Sequence, residues 1–205
     1  MTVLAIILAR KNSKGLKNKN IKKLNELPLI LHTIKLAKKS KLIDDIVVST
    51  DSKIIQNLAI KNGVQAPFLR PKKISNDKAT TEIALKHCLM FMKKNKKISP
   101  SIIVYLQITE PLRKLWMIDK CILTLKKNKK IDTAFMAKKY YKNIWEEKGK
   151  KTLRITKEKY GIPRQLKNKY FREDTGLACA TRASVIMKGK RIGEKNKPIF
   201  YEHDF

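Results

Sequence analysis

The sequence predicts an α/β domain whose mostly parallel central sheet carries helices on both faces. Three observations lead there. Val3 to Leu8 and Ile102 to Leu106 are continuous apolar runs of strand length, the pattern of strands covered on both faces. Segments with apolar residues at helical spacing lie between such runs, so strand and helix alternate along the chain. The first run empties into a polar, glycine-containing loop, and sheets of this kind bind ligands at the carboxyl ends of their strands.

The elements follow in order. After the strand Val3 to Leu8, Pro28 to Lys39 places Leu29, Ile30, Thr33, Ile34 and Ala37 at helical spacing, with proline in the first turn and lysines at the end. Asp45 to Ser49 reads as the second strand. Ser52 caps a helix carrying Ile54, Ile55, Leu58 and Ala59, which stops near Asn62-Gly63. Another helix is predicted from Thr80 to about Lys94, a third strand over Ile102 to Leu106, a helix from about Trp116 to Leu125, and a fourth strand over Thr133 to Ala137. From Lys138 to Arg172 the pattern weakens, and Tyr140, Tyr141, Trp145, Tyr160 and Tyr170 are scattered among charges. This stretch reads as an insertion or arm on a single domain, residues 1–205. Regularity resumes at Gly176 to Ala180 and a short helix after it.

A chain of 205 residues can bury such a core without disulfides or structural metal. Cys88, Cys121 and Cys179 lack the spacing of a zinc site and read as reduced, buried thiols. The apolar start meets Arg10 and Lys11 too soon for a leader peptide, and no run reaches membrane-spanning length, so a cytoplasmic protein without a membrane partner is expected. The formal charge is +31, a field that attracts phosphates or nucleic acid. Only 8 of the 48 basic residues are arginine, and the lysines recur as doublets such as Lys38-Lys39 and Lys126-Lys127. That distribution reads as a solvated surface with no dedicated nucleic-acid partner.

The loop after the first strand holds Arg10, Ser13, Lys14, Gly15, Lys17 and Lys19: a fork donor, ammonium charges, a hydroxyl and exposable backbone amides. A triphosphate needs that inventory, and a lysine-rich surface turn can also have it. Neither GxxxxGK[ST] nor GxGxxG is present, which removes the main support for kinase, ATPase or dehydrogenase readings. His32 and His87 fall within predicted helices, where a satisfied or surface role is expected, and no Ser-His-Asp arrangement is signalled.

Ala9-Arg10-x-x-Ser13-Lys14-Gly15-x-x-x-Lys19-Asn20 resembles the signature loop of the acylneuraminate cytidylyltransferases, the CMP-sialic acid synthetase family. Pro28 to Ile30, Val47 to Asp51, Arg70-Pro71, Ile74 to Asp77 and Leu106 to Arg113 resemble that family's later motifs in the same order. The resemblance implies a Rossmann-like nucleotidyltransferase fold. It also implies transfer of CMP from CTP to the anomeric hydroxyl of a sialic-acid-like nonulosonic acid, with release of pyrophosphate. Arg10, Ser13 and Lys19 would hold the phosphates, Asn20 and Arg70 would help fix the nucleotide, and Gln107 would face the acceptor. Pro163-Arg164-Gln165 resembles a basic element of the family, making Arg164 a candidate for the transferred phosphate. Mg²⁺ as cofactor and a homodimer joined through the Lys138 to Arg172 arm are also implied. Asp51 and Asp77 are further candidates, although an acid before a helix is equally suited to the helix N-terminus.

Two segments depart from the family. Thr175-Gly176-Leu177-Ala178-Cys179 stands where the family has Asn-Gly-Ala-Ile-Tyr, which leaves the identity of the nine-carbon acid open, since hydrogen-bonding groups decide it. The chain reads Glu202-His203-Asp204-Phe205 where an acidic metal-binding segment is expected to follow, which favours a fragment cut before the metal ligands over replacement of those ligands by Asp204 with Glu202 or a loss of catalysis. A 3-deoxy-octulosonate cytidylyltransferase is the nearest alternative, partly resembled by Gln107 to Pro111. A basic nucleic-acid-binding protein and an inactive relative are the others.

Overall fold

The computed structural model describes residues 1–11, 15–140, 142–156, 161–166 and 170–202. Strand β1 (Val3–Ala9) leads through a short hairpin, β2 (Lys23–Leu24) and β3 (Leu27–Pro28), into helix α1 (Leu29–Lys39). Then come β4 (Asp45–Thr50), α2 (Lys53–Lys61), α3 (Thr81–Lys96), β5 (Ile102–Leu106), α4 (Leu115–Lys127) and β6 (Thr133–Tyr140). The second half adds β7 (Trp145–Lys148), β8 (Lys151–Arg154), β9 (Tyr170–Glu173), β10 (Cys179–Arg182), α5 (Ala183–Met187) and β11 (Asn196–Phe200).

Six strands lie in the order β11-β6-β10-β5-β1-β4, and β9 pairs with β6 as the seventh. The pairings give β1, β4, β5, β6 and β11 one direction and set β9 and β10 against it, so the sheet is mostly parallel. Its two faces are read off β1. Val3, Ala5, Ile7 and Ala9 pack with Ile30 and Ile34 of α1, Ile55 of α2 and Ile118 of α4. Leu4 and Ile6 pack with Leu85, Leu89 and Met92 of α3 and Ile186 of α5. A run apolar at every position is what a strand needs when helices cover both sides.

Local chemistry sets the helix starts. Ser52 Oγ accepts from the Ile55 amide at 3.4 Å, and Thr80 Oγ1 accepts from the Ile83 amide at 3.3 Å. Cys88, Cys121 and Cys179 are free and buried, and burial pushes the Cys88 thiol up to about 12. Such thiols are inert at neutral pH.

The fourth strand is longer than the apolar run Thr133 to Ala137 indicates. Lys138, Lys139 and Tyr140 continue it because β9 pairs with them. The ends of the Lys138 to Arg172 stretch therefore lie in the sheet, whereas β7 and β8 form a separate two-stranded hairpin. Between β9 and β10, residues 174–178 stand opposite Met136 alone, whose carbonyl accepts from the Asp174 amide and whose amide donates to Ala178 O. The chain bulges there, as extra residues in one strand of a pair require. The bulge carries Gly176 to the end of β5, where Gly176 O accepts from the Gln107 amide at 3.1 Å.

Candidate active site

The chain passes from β1 to β4 on one side and from β5 to β6 on the other, so the connections leaving these two adjacent strands run in opposite directions. The crevice beyond the carboxyl ends of β1 and β5 is the switch point at which doubly wound sheets hold ligands. A cavity of about 420 Å³ lies there, and Arg10, Lys19, Asn20, Arg70 and Gln107 line it together with Tyr105. Five of the seven residues singled out from the sequence thus meet at one place. Ser13 lies outside the described residues. Arg164 starts a short 3₁₀ turn, Arg164–Leu166, and its side chain is likewise outside the description.

Arg10 follows β1 directly, and its NH1 donates to Asp77 Oδ1 at 2.7 Å across the cavity mouth. Asn20 is buried and donates through Nδ2 to Arg10 O at 2.9 Å, which folds the loop back on its own start. The return is made by Asn18 in the left-handed region (φ 57°) and the 3₁₀ turn Lys19–Ile21. On the other side the Lys11 amide donates to Asp51 Oδ1 at 2.7 Å, tying the loop to the end of β4. Lys17 is exposed.

Arg70 is buried, with Nε donating to Ser75 Oγ at 3.0 Å and NH1 to Ser49 O at 3.3 Å. It is not the surface residue that a position before a proline also allows. Burial lowers its pKa from the usual arginine value, with the nearby Asp51 carboxylate acting against that shift. A desolvated guanidinium facing a cavity is a strong partner for an anion. His87 packs edge-on to Phe68, and its pKa is lowered by burial and then by Arg70, so it is neutral at pH 7. Its Nδ1 is buried with no hydrogen-bond partner among the described residues. His32 is satisfied: Nε2 lies 2.8 Å from Leu24 O.

The opposite wall is built on Gln107. A methyl group added at Gly176 would come within 2.6 Å of Gln107 Oε1, so glycine is what lets that amide lie against the bulge. Glu110 also lies beside Gly176, and burial raises its pKa, opposed chiefly by Arg113. A second cavity of about 240 Å³ shares Thr109 with the first and is lined by Glu110, Arg172, Asp174 and Tyr201. Arg172 grips Asp174 with two bonds of 3.0 Å, and the Tyr201 hydroxyl donates to Asp174 Oδ2 at 2.6 Å.

Among the described residues no three His, Cys, Asp or Glu side chains gather as a metal site. Asp51 and Asp77 are engaged by the Lys11 amide and Arg10. The described residues therefore supply no preformed cage for Mg²⁺, whereas an ion held mainly by phosphate oxygens needs only one or two carboxylates.

Sequence reasoning missed Tyr105, Thr80 and Thr81, all of which line the cavity. Tyr105 was hidden inside an apolar run, and the threonines read only as a helix start. Arg113 was visible as the last residue of the Leu106 to Arg113 segment, but nothing in the sequence said that it turns inward.

Fold and cavity define a Rossmann-like nucleotidyltransferase fold, and a solved CMP:2-keto-3-deoxy-manno-octonic acid synthetase complexed with CTP superposes with a TM-score of 0.71. That likeness covers 98% of this chain and 91% of the other at 14% identity, and it shows the fold alone. The chain belongs to the cytidylyltransferase family, whose sequence profile, described as Cytidylyltransferase, matches residues 4–196. An N-acylneuraminate cytidylyltransferase of Streptococcus agalactiae serotype V is 39% identical over 120 residues, 58% of this chain and 28% of that protein. A CMP-N,N'-diacetyllegionaminic acid synthase of Legionella pneumophila is 39% identical over 114 residues, 56% of this chain and 49% of that one. The chain thus matches half or less of the length of these curated relatives. No helix among the described residues is long and apolar enough to cross a membrane.

Proposed function

We propose that the chain transfers CMP from CTP to the anomeric hydroxyl of a sialic-acid-like nonulosonic acid and releases pyrophosphate. The observation that carries this reading is the convergence of Arg10, Lys19, Asn20 and Arg70 with Gln107 around one cavity at the sheet's switch point. The anomeric oxygen attacks the α-phosphorus in line. An O–P bond forms, the bond from the α-phosphorus to the bridging oxygen breaks, and pyrophosphate leaves with the electron pair. The hydroxyl proton passes to a general base.

No covalent enzyme intermediate is needed, so catalysis rests on positioning and charge. Arg10 and Lys19 offset the charge that grows on pyrophosphate, Asn20 and Arg70 fix the nucleotide, and Gln107 faces the acceptor. Ser13 is proposed for the phosphates and Arg164 for the transferred phosphate, both on sequence grounds. Mg²⁺ is proposed to arrive with the CTP phosphates, where it would neutralise charge. The reading implies a cytoplasmic protein, where CTP is supplied, acting as a homodimer.

The test is pyrophosphate release from CTP and Mg²⁺ with a panel of sialic, legionaminic, pseudaminic and octulosonic acids. Turnover of at least one nine-carbon acid is expected, and Lys19→Ala should lower kcat by on the order of 100-fold or more. Silence across the panel, or a Lys19→Ala variant that matches the wild type at saturating CTP, overturns the reading. Turnover of octulosonic acid alone replaces the acceptor with the eight-carbon one.

A further inference from the structure

Arg113 lines neither cavity. It is nonetheless among the most buried charged residues, at 4% exposure, and its guanidinium is spent almost wholly on backbone. Nε donates to Leu177 O. NH2 donates to Gln107 O at 2.5 Å and to Gly176 O at 2.7 Å, while NH1 lies 3.5 Å from Thr33 Oγ1 of α1. One side chain therefore joins the end of β5, the bulge before β10 and a helix on one face. The rigid fork of arginine suits this, because its donors leave in fixed directions that a single ammonium cannot reproduce.

We propose that Arg113 is a positioning residue that sets the acceptor wall of the cavity and leaves the nucleotide wall alone. The proposal rests on the reading above, in which Gln107 faces the acceptor. The Gln107 backbone is held from two sides, its carbonyl by Arg113 and its amide by Gly176 O, and Gly176 O is itself held by Arg113. Its side-chain amide then lies against the bare Cα of Gly176. Without the fork, Leu177 O and Gln107 O lose the Arg113 donor, Gly176 O keeps only the Gln107 amide, and the Gln107–Gly176 contact loses its anchor. Arg10, Asn20 and Arg70 are fixed by other partners, namely Asp77, Arg10 O, Ser75 and Ser49. Burial pulls the pKa of Arg113 to about 10, against the Glu110 charge, so it remains cationic at neutral pH.

The test compares full chains of the wild type, Arg113→Lys and Gly176→Ala, the last pushing on Gln107 from the other side of the same contact. Leu125→Ala, a cavity variant in α4, controls for lost stability alone. The substrates are CTP and whichever acid of the panel the wild type turns over. In both site variants the acceptor KM is expected to rise tenfold to about 100-fold, with the CTP Kd by calorimetry within twofold of wild type. In Leu125→Ala, matched for loss of Tm, neither constant should move. An unchanged acceptor KM in Arg113→Lys, or a CTP Kd that weakens in step with it, overturns the proposal. If the wild type turns over no acid, the functional reading fails separately, and the anchor is judged by hydrogen exchange at the Gln107 amide. Faster exchange there in Arg113→Lys but not in Leu125→Ala supports it, and equal exchange overturns it.

Discussion

Arg10 and Asp77 stand 67 positions apart in the chain and 2.7 Å apart in space, with the Arg10 side chain 37% and the Asp77 side chain 49% exposed. In the proposed function Arg10 receives CTP phosphate, so a carboxylate held against it occupies the place a phosphate oxygen would take. If CTP displaces it, part of the binding free energy goes into breaking that pair. Exposed ion pairs are worth up to about 1 kcal/mol, so the competition is mild. Asp77→Asn should therefore tighten CTP by up to roughly fivefold at low salt, with the gain shrinking as salt screens the wild-type pair. Calorimetric titration at two ionic strengths checks this, and a weaker CTP affinity in the variant would show instead that Asp77 supports the nucleotide. From the sequence Asp77 was legible as a candidate acid. Its partner was not, because a contact across 67 residues follows from the fold and not from local spacing.

At the scale of elements, the hairpin of β7 and β8 pairs with no other strand among the described residues. Ile144, Leu153 and Ile155 lie on one of its faces, Trp145 on the other, and Leu153, Ile155 and Trp145 are each about half exposed. A two-stranded hairpin is marginal alone in water, and clustered exposed apolar side chains mark association sites. Docking of a second copy here is what the homodimer reading requires. The wild type should sediment as a dimer at micromolar concentration, and Leu153→Glu with Ile155→Glu should shift it to monomer while leaving the far-ultraviolet spectrum intact. A wild type that sediments as a monomer would sink the dimer, and an unshifted double variant would move the interface elsewhere. The hairpin is also where the sequence was least readable. Its strands are short and half charged, so neither period dominates. By contrast β1 and β5 announced themselves because burial on both faces demands unbroken apolar runs, and α1 and α2 because one face does. β11 was invisible for a related reason. As the last strand of the sheet order it tolerates asparagine, lysine and proline, which a central strand would reject.

For the whole molecule the question is what a net charge of +31 does. The structure divides the basic residues by chemistry. Arg70, Arg113 and Arg182 point their forks at backbone carbonyls and hydroxyls inside the fold, as when Arg182 donates to Leu125 O at 2.8 Å and Asn128 O at 3.0 Å. Lysines at the ends of α1, α3 and α4 are spread over the surface. A dispersed lysine field draws in anions such as CTP and an acidic sugar without creating a track that reads bases. The order of the strands around β1, which decides where that field converges on a cavity, was not legible from composition. The loop after β1 and the motifs that follow it implied the class of fold, without the order of its strands. Nonspecific duplex binding should therefore be present at low salt and collapse as counterions compete. Affinity for a short DNA duplex should fall by about 1,000-fold or more between 50 and 200 mM salt, as for a protein touching roughly six or more phosphates. If CTP is held as proposed by buried Arg70 and half-buried Arg10 and Lys19, its affinity should fall far less over the same range. Fluorescence anisotropy with labelled duplex beside calorimetry with CTP makes the comparison. Nanomolar duplex binding that survives 200 mM salt would restore the nucleic-acid reading that the scattered lysines argue against.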